Sequence, residues 1–420
     1  MMRSLFSAIS GLRNHMSYMD VVGNNIANVN TTAFKSSRVT FQDILSQNIS
    51  GAGGPIEGGR GGTNPDQIGL GMTLGGIDNL MMQGSIQSTG KLTDFAIQGD
   101  GFFVVSDGER EFYTRDGAFD VGVDGTLVNP ANGLRVMGWV ADAGGEIDMD
   151  GNVEPVSIPF GTRIDAVSTG EIQLQGNLNA ATLDEGIVST TLTVYDALGN
   201  AHTVRLELEK QADNQWQVQA YMGEDGDGNP IAVGGTHDIE FADGSDPDVP
   251  AGHLIDGDTM ELTLTDLVGG ADDLTFDIDF TRIRQYAASS QLNVARNDGL
   301  PSGALVSFAV SQTGEIAGIY SNGAHRTIGQ LAMAGFTNPA GLERQGENLW
   351  SPSANSGDAM IGRPGEDGRG IVNTGTLESS NVDLAEQFTN MITAQRGFQS
   401  NSRVITATDT MLQDLVNIIR

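Results

Sequence analysis

Asp148, Asp150 and Asn152 open a run with the alternate-residue oxygen spacing of a calcium-binding loop, and Asp225, Asp227 and Asn229 open a second. Such a loop needs a glycine at its sixth position for the sharp turn and a bidentate glutamate at its twelfth. The first run has its glycine at position four and Pro159 at twelve, while the second has Pro230 at six and Thr236 at twelve. Both read as Asp-rich turns. The histidines at 15, 202, 237, 253 and 325 form no HExxH pair, and neither GxSxG nor a P-loop occurs. Metalloprotease, serine-hydrolase and nucleotidase chemistry therefore lack a first residue. Gly69, Gly71 and Gly75 are misplaced for a dinucleotide fingerprint. Acid pairs for glycoside hydrolysis are brought together only by folding, and nothing singles one out. Asn30-Thr31-Thr32 matches a glycosylation triplet in form and reads as a capping turn. The expectation is no catalytic residue, no cofactor, no metal and no enzymatic activity.

The charge is more informative. The net value is −32, and residues 141–280 hold 29 of the 54 carboxylates against Arg163, Arg205 and Lys210, a local balance of −26. The first fifty residues carry Asp20 and Asp43 against four cations, and the last fifty come to −2. An acidic middle repels phosphates, which sets nucleic acid aside as a partner. With 420 residues the chain has length for two or three domains, and with no cysteine it relies on packing and association. No run of 18 apolar residues suggests a membrane span, and the start MMRSLFSAISGLRNH has no apolar h-region, so export without a cleaved signal is expected.

The elements that must position any functional surface lie at the two ends. Leu5, Leu12, Met19 and Ile26 recur every seven residues, with Ile9 and Met16 four residues after the first two. Leu384, Met391, Phe398, Ile405, Leu412 and Ile419 occupy six successive heptad positions without an intervening proline. Among the alternate positions, Ala394, Asn401 and Thr408 are small or polar and Leu415 is apolar, a mixture that favours close packing among many partners over a leucine zipper. These thirteen apolar positions are the expected self-assembly residues. The alternative is an αα-hairpin within one chain.

Between the helices the pattern is β. Eleven of 26 residues in 51–76 are glycine, the composition of a linker. From Phe95 short apolar runs alternate with Asp-Gly at 100, 107, 116 and 124 and Asn-Gly at 132, which are hairpin signals. Alternation in Val204-Leu206-Leu208 and Phe276-Ile278-Phe280 continues through the acidic middle and predicts a sandwich or barrel. The expected fold is multidomain and mainly β, with long N- and C-terminal α-helices forming a coiled-coil-like inner domain and nested β domains outside. The expected divisions are 1–30 plus 380–420 (terminal helices), 31–76 (glycine-rich linker), 77–142 plus 282–379 (inner β domain) and 143–281 (acidic outer β domain).

Gly23-Asn24-Asn25-Ile26-Ala27-Asn28 followed by Thr31-Thr32-Ala33-Phe34-Lys35 resembles the N-terminal signature of the bacterial flagellar rod and hook protein family. Ser380-Asn381-Val382-Asp383-Leu384 with Met391-Ile392-Thr393-Ala394-Gln395-Arg396-Gly397-Phe398 is similar to its C-terminal signature. The candidate motif residues are thus Asn24, Asn25, Asn28, Phe34, Lys35, Asn381, Gln395 and Arg396. The stretch from Leu192 through Tyr195-Asp196-Ala197-Leu198-Gly199-Asn200 to His202, with Trp216, looks like a hook-type outer-domain strand pair. The match is loosest over 281–299. The resemblance implies a homopolymer: a curved, flexible hook tube that acts as a universal joint between motor and filament. It further implies distal rod, hook-cap and hook–filament junction proteins and the flagellar type III export apparatus as partners, in the extracellular part of the flagellum. A distal rod protein is the alternative within the family. Outside it, the alternative is a monomeric acidic β-sandwich that binds glycan or calcium.

Overall fold

The computed structural model describes residues 2–55, 58, 61–142, 144–224, 230–245, 249–265, 267 and 272–418. It shows a mainly β protein with one helix at each end, in two compact units. The first unit comprises Met1–Pro159, Ala309–Ala317 and Thr327–Arg420; the second comprises Phe160–Phe308 and Gly318–Arg326.

In the first unit, α1 spans Met2–Ala27 and α2 spans Leu384–Ile418. Asp383 caps α2, its Oδ1 accepting the N–H groups of Ala385 (2.8 Å) and Glu386 (3.3 Å). At 35 residues α2 is about 52 Å long at ~1.5 Å per residue. The two helices pack antiparallel, Gly11 facing Asn401 and Asn25 facing Gln387. Their seam on α2 runs through Gln387, Ala394, Asn401 and Thr408, seven residues apart, and on α1 through Ala8, Gly11, Val22 and Asn25. The backbones approach so closely that a Cβ on Gly11 would lie 2.6 Å from Asn401 Nδ2, and one on Gly397 2.5 Å from His15 Nε2. The large apolar heptad of α2 is therefore not the seam that faces α1.

The β part of this unit is built from short strands. Phe102–Ser106 is buried throughout and turns at Asp107-Gly108 into Glu111–Thr114, as the Asp-Gly signal predicts; Asp107 Oδ1 accepts the N–H groups of Glu109 and Arg110. Phe102, Tyr113, Trp139, Phe336 and Trp350 form the core beneath. Segment 31–76, expected as a linker, instead carries paired strands: Ser37–Asp43 with Met72–Asn79, and Ser46–Ser50 with Asp66–Gly69. The reason is positional, because eight of the eleven glycines in 51–76 fall between or next to the strands and only Gly69, Gly75 and Gly76 fall within them.

The second unit is a sandwich. One sheet, antiparallel throughout, orders Ile187–Tyr195, Ala201–Ala212, Gln215–Glu224, Pro230–Phe241 and Leu254–Asp256. The other orders Thr259–Leu264, Leu274–Tyr286, Glu171–Asn179 and Gln291–Asn297. Leu206, Leu208, Trp216, Leu262, Phe276, Ile278 and Phe280 meet in one core drawn from both sheets. The period-two alternation is realised directly: Thr259–Leu264 alternates exposed and buried residues along its whole length. Both boundaries of this unit differ from the 143 and 281 expected from sequence. Glu154-Pro155 pairs with Met137-Gly138 in the first unit, and Gln291–Asn297 pairs with Glu171–Asn179 in the second. Leu274–Tyr286 runs parallel to Glu171–Asn179, a pairing that needs a long crossover, here residues 180–273.

The turn between Ile187–Tyr195 and Ala201–Ala212 is organised by Asp196, whose side chain is fully buried. Its Oδ1 accepts the N–H groups of Leu198 (2.9 Å) and Asn200 (2.8 Å), and its Oδ2 meets Asn200 Nδ2 and His202 Nε2, both at 2.9 Å. Burial works to raise this carboxyl's pKa, but the hydrogen bonds from His202, Asn200 and the backbone outweigh it and hold it at about 2, below the ordinary 3.8. A carboxyl depressed in the folded state contributes stability that is complete above its unfolded value and lost as pH falls toward the folded one. Urea melts between pH 5 and pH 2 are expected to show stability falling from about pH 4 downward, and Asp196→Asn is expected to flatten that slope while lowering stability at neutral pH.

Candidate functional site where the chain ends meet

Lys35 closes the N-terminal signature, and its side chain is 1% exposed. An ammonium so deeply buried needs a counter-charge, and the strand Thr376–Glu378 supplies it. Glu378, whose side chain is 0% exposed, receives Lys35 Nζ (2.6 Å) and the Gly84 N–H (2.7 Å) on Oε1, and Arg115 Nη1 (3.4 Å) on Oε2. Its own carbonyl accepts the Ala33 N–H. Burial pulls the Lys35 pKa down, the Arg115 charge adds to that, and Glu378 opposes both. Burial likewise lowers the Arg115 pKa against the pull of Glu378. One carboxylate thus binds two cations from separate segments, Lys35 just before the strand Ser37–Asp43 and Arg115 just after Glu111–Thr114.

Two asparagines extend the junction. Asn25 Oδ1 accepts the Ser37 N–H while its Nδ2 donates to the Ser37 carbonyl (2.8 Å) and to Gln387 Oε1 (3.1 Å), which fastens α1 to α2 and to the following strand. Asn381 Oδ1 accepts the Ser36 N–H (2.7 Å), and its Nδ2 donates to the carbonyls of Leu80 (2.8 Å) and Met82 (3.1 Å). Asn28 Nδ2 donates to the Asn24 carbonyl and its Oδ1 accepts Thr31 Oγ1, closing the turn after α1; the Asn24 side chain is exposed. Phe34 is buried, with the Arg344 guanidinium 5.0 Å from its ring centroid and 5.0 Å from that of Trp350, while Arg344 donates to the Lys35 carbonyl.

The structure brings together Asn25, Phe34, Lys35 and Asn381 in this junction but leaves Gln395 and Arg396 exposed on α2. Leu5, Ile9, Leu12, Met19 and Ile26 are half-buried and Met16 is 50% exposed. Met391, Phe398, Ile405 and Leu412 are half-buried, and Leu384 is exposed. The side chain of Leu415 and residue Ile419 lie outside the described residues. A second apolar set, Phe388, Ile392, Val404 and Met411, is at least 41% exposed. Sequence reasoning did not find Glu378, Arg115, Arg344 or Gln387. The available signal was Lys35 itself, a lone cation following Ala33-Phe34, which demands a buried partner elsewhere.

Asp148 forms an Asx turn with the Asp150 N–H. Among the described residues no three His, Asp or Glu side chains are placed to hold a metal ion; Asp225, Asp227 and Asn229 lie outside them.

Four family descriptions match the chain: "Flagella basal body rod protein" over residues 5–35, "Flagellar hook protein FlgE/F/G D1 domain" over 96–180, "Flagellar basal body protein FlaE D2 domain" over 166–300, and "Flagellar basal body rod FlgEFG protein C-terminal" over 373–418. The flagellar hook protein FlgE of Borreliella burgdorferi is 40% identical to it, with 100% of both chains covered. That of Treponema pallidum is 41% identical, again with 100% of both covered. The crystal structure of Helicobacter pylori flagellar hook protein FlgE2 superposes with a TM-score of 0.53 at 16% identity, covering 70% of this chain and 100% of that one, a likeness of fold. With identity of this order along the entire length, the chain belongs to the flagellar hook protein FlgE family.

Proposed function

We propose that this chain is the structural subunit of a bacterial flagellar hook, whose copies stack through their terminal helices into a curved, flexible tube that carries motor torque to the filament. The observation that carries this reading is the half-exposed apolar heptad of α2, Leu384 to Leu412. The helix pair has already spent its small residues on its own seam, so this stripe is left for other copies. A half-exposed apolar row along about 42 Å of helix, at ~1.5 Å per residue, is what an assembly surface requires.

In this reading the terminal helices form a coiled-coil-like inner tube and the acidic unit faces solvent. Distal rod, hook-cap and hook–filament junction proteins adjoin the tube, and the type III export apparatus delivers the chain to the outside of the cell. Among the described residues no helix is long and apolar enough to cross a membrane. In this reading the Lys35–Glu378–Arg115 junction is one of the paths by which torque passes between the helices and the β part of the first unit, beside the contacts of Asn14 with Met72 and of Tyr18 with Phe41. A buried charge network resists shear because each displaced ion is left unpaired.

Negative-stain microscopy of the purified chain is expected to show tubes, formed faster as added salt screens the −32 charge over the ~10 Å Debye length at about 0.1 M. Phe398→Glu is expected to leave discrete particles of unchanged helix content; discrete particles from the unmodified chain in high salt would defeat the reading. Glu378→Gln strands two buried cations and is expected to cost about 3–5 kcal/mol in denaturant unfolding. Lys35→Met, which leaves one cation for one carboxylate, is expected to cost less.

A further inference from the structure

Beside the junction lies a cavity of about 270 Å³ that the reading above leaves unused. Lys35, Arg115 and Arg369 line it, with side chains 1, 4 and 6% exposed. The buried carboxylate at hand is Glu378, so the surroundings hold a buried excess of positive charge. Asp367 meets Arg369 Nη2 at 2.9 Å but is 81% exposed, and Asp100, also in the lining, is exposed, so water screens both. Arg115 Nε has no hydrogen-bond partner among the described residues. An unmet N–H on a buried cation is costly, and in a chain of net charge −32 a surplus of buried cations is the reverse of what composition supplies. Part of the wall is apolar: Phe102 and Phe336 pack edge to face at 5.7 Å, with the Arg115 guanidinium 5.5 Å from the Phe102 ring centroid.

We propose that this cavity receives a carboxylate carried on a short aliphatic stem, and that in the assembled tube the stem is an Asp or Glu side chain of a second copy. The second half of this statement rests on the assembly reading. The cations bind the oxygens, the aromatic wall takes the methylenes, and the volume far exceeds the roughly 30 Å³ of a single water. A bare inorganic anion leaves the apolar wall uncovered. Each copy carries 54 carboxylates, so its charge complements the cavity of its neighbour.

The test titrates the full chain with glutarate, beside phosphate and sodium chloride at matched ionic strength, and follows the thermal midpoint. The expected result is a saturable rise with glutarate, at least tenfold weaker in Arg369→Gln, largely kept in Arg369→Lys, and absent with chloride. Glutarate is also expected to slow tube formation, and Arg369→Gln to assemble at least tenfold more slowly at a temperature where both chains are fully folded. No glutarate-specific rise overturns the site even if tubes form. Phosphate matching glutarate overturns the part given to the apolar wall. Glutarate binding together with full-speed assembly of Arg369→Gln overturns the second copy as the source. A chain that forms no tubes overturns the assembly reading and that source with it, while the titration still decides the cavity.

Discussion

One carboxylate holds the two ends of the chain in register. Glu378 stands 343 residues from Lys35 in sequence and 2.6 Å from it in space, and it takes a second cation, Arg115, from a third segment. Removing these charges from water is costly, and the cost is recovered only when all three sit together. The segment that leads out of α1, residues 33–36, and the one that leads into α2, residues 378–381, are thereby fixed side by side, and Asn25 and Asn381 complete the fastening with backbone hydrogen bonds. The helix pair is positioned by that junction.

The helix pair divides its surface by residue size. Small and polar residues, Ala394, Gly397, Asn401 and Thr408, face α1, where the glycines permit a separation that bulkier side chains forbid. Large apolar residues are turned aside and stay partly wet. A solitary folded chain would gain by burying the large residues and exposing the small ones; in the assembly proposed above, the large residues are covered by other copies instead.

Much of this was legible in the sequence, but not the facing of the helices. Heptad spacing located both helices, Asp107-Gly108 located a hairpin, and alternation gave Thr259–Leu264. Reading hydrophobicity alone selects Leu384 and Phe398 as the contact stripe, because a seam of alanine, threonine and glycine carries almost no apolar signal. Glycine richness in 51–76 looked like slack, since composition does not distinguish a turn residue from a linker residue. The limits of the acidic unit depend on the parallel pairing of Glu171–Asn179 with Leu274–Tyr286, about a hundred residues apart, which no local pattern announces. Glu378 gave no sign of its own, being one acid in an otherwise neutral strand. Lys35 gave the better clue.

The parallel pairing has a practical side. Because Glu171 lies opposite Asp277 and Asn179 opposite Tyr286, residues 180–273 depart and arrive at opposite ends of the parallel ladder, about 40 Å apart at ~3.3 Å per residue. Cargo spliced in place of residues 180–273 would have to bridge that distance, so only a segment long enough to run back along the whole ladder can stand there.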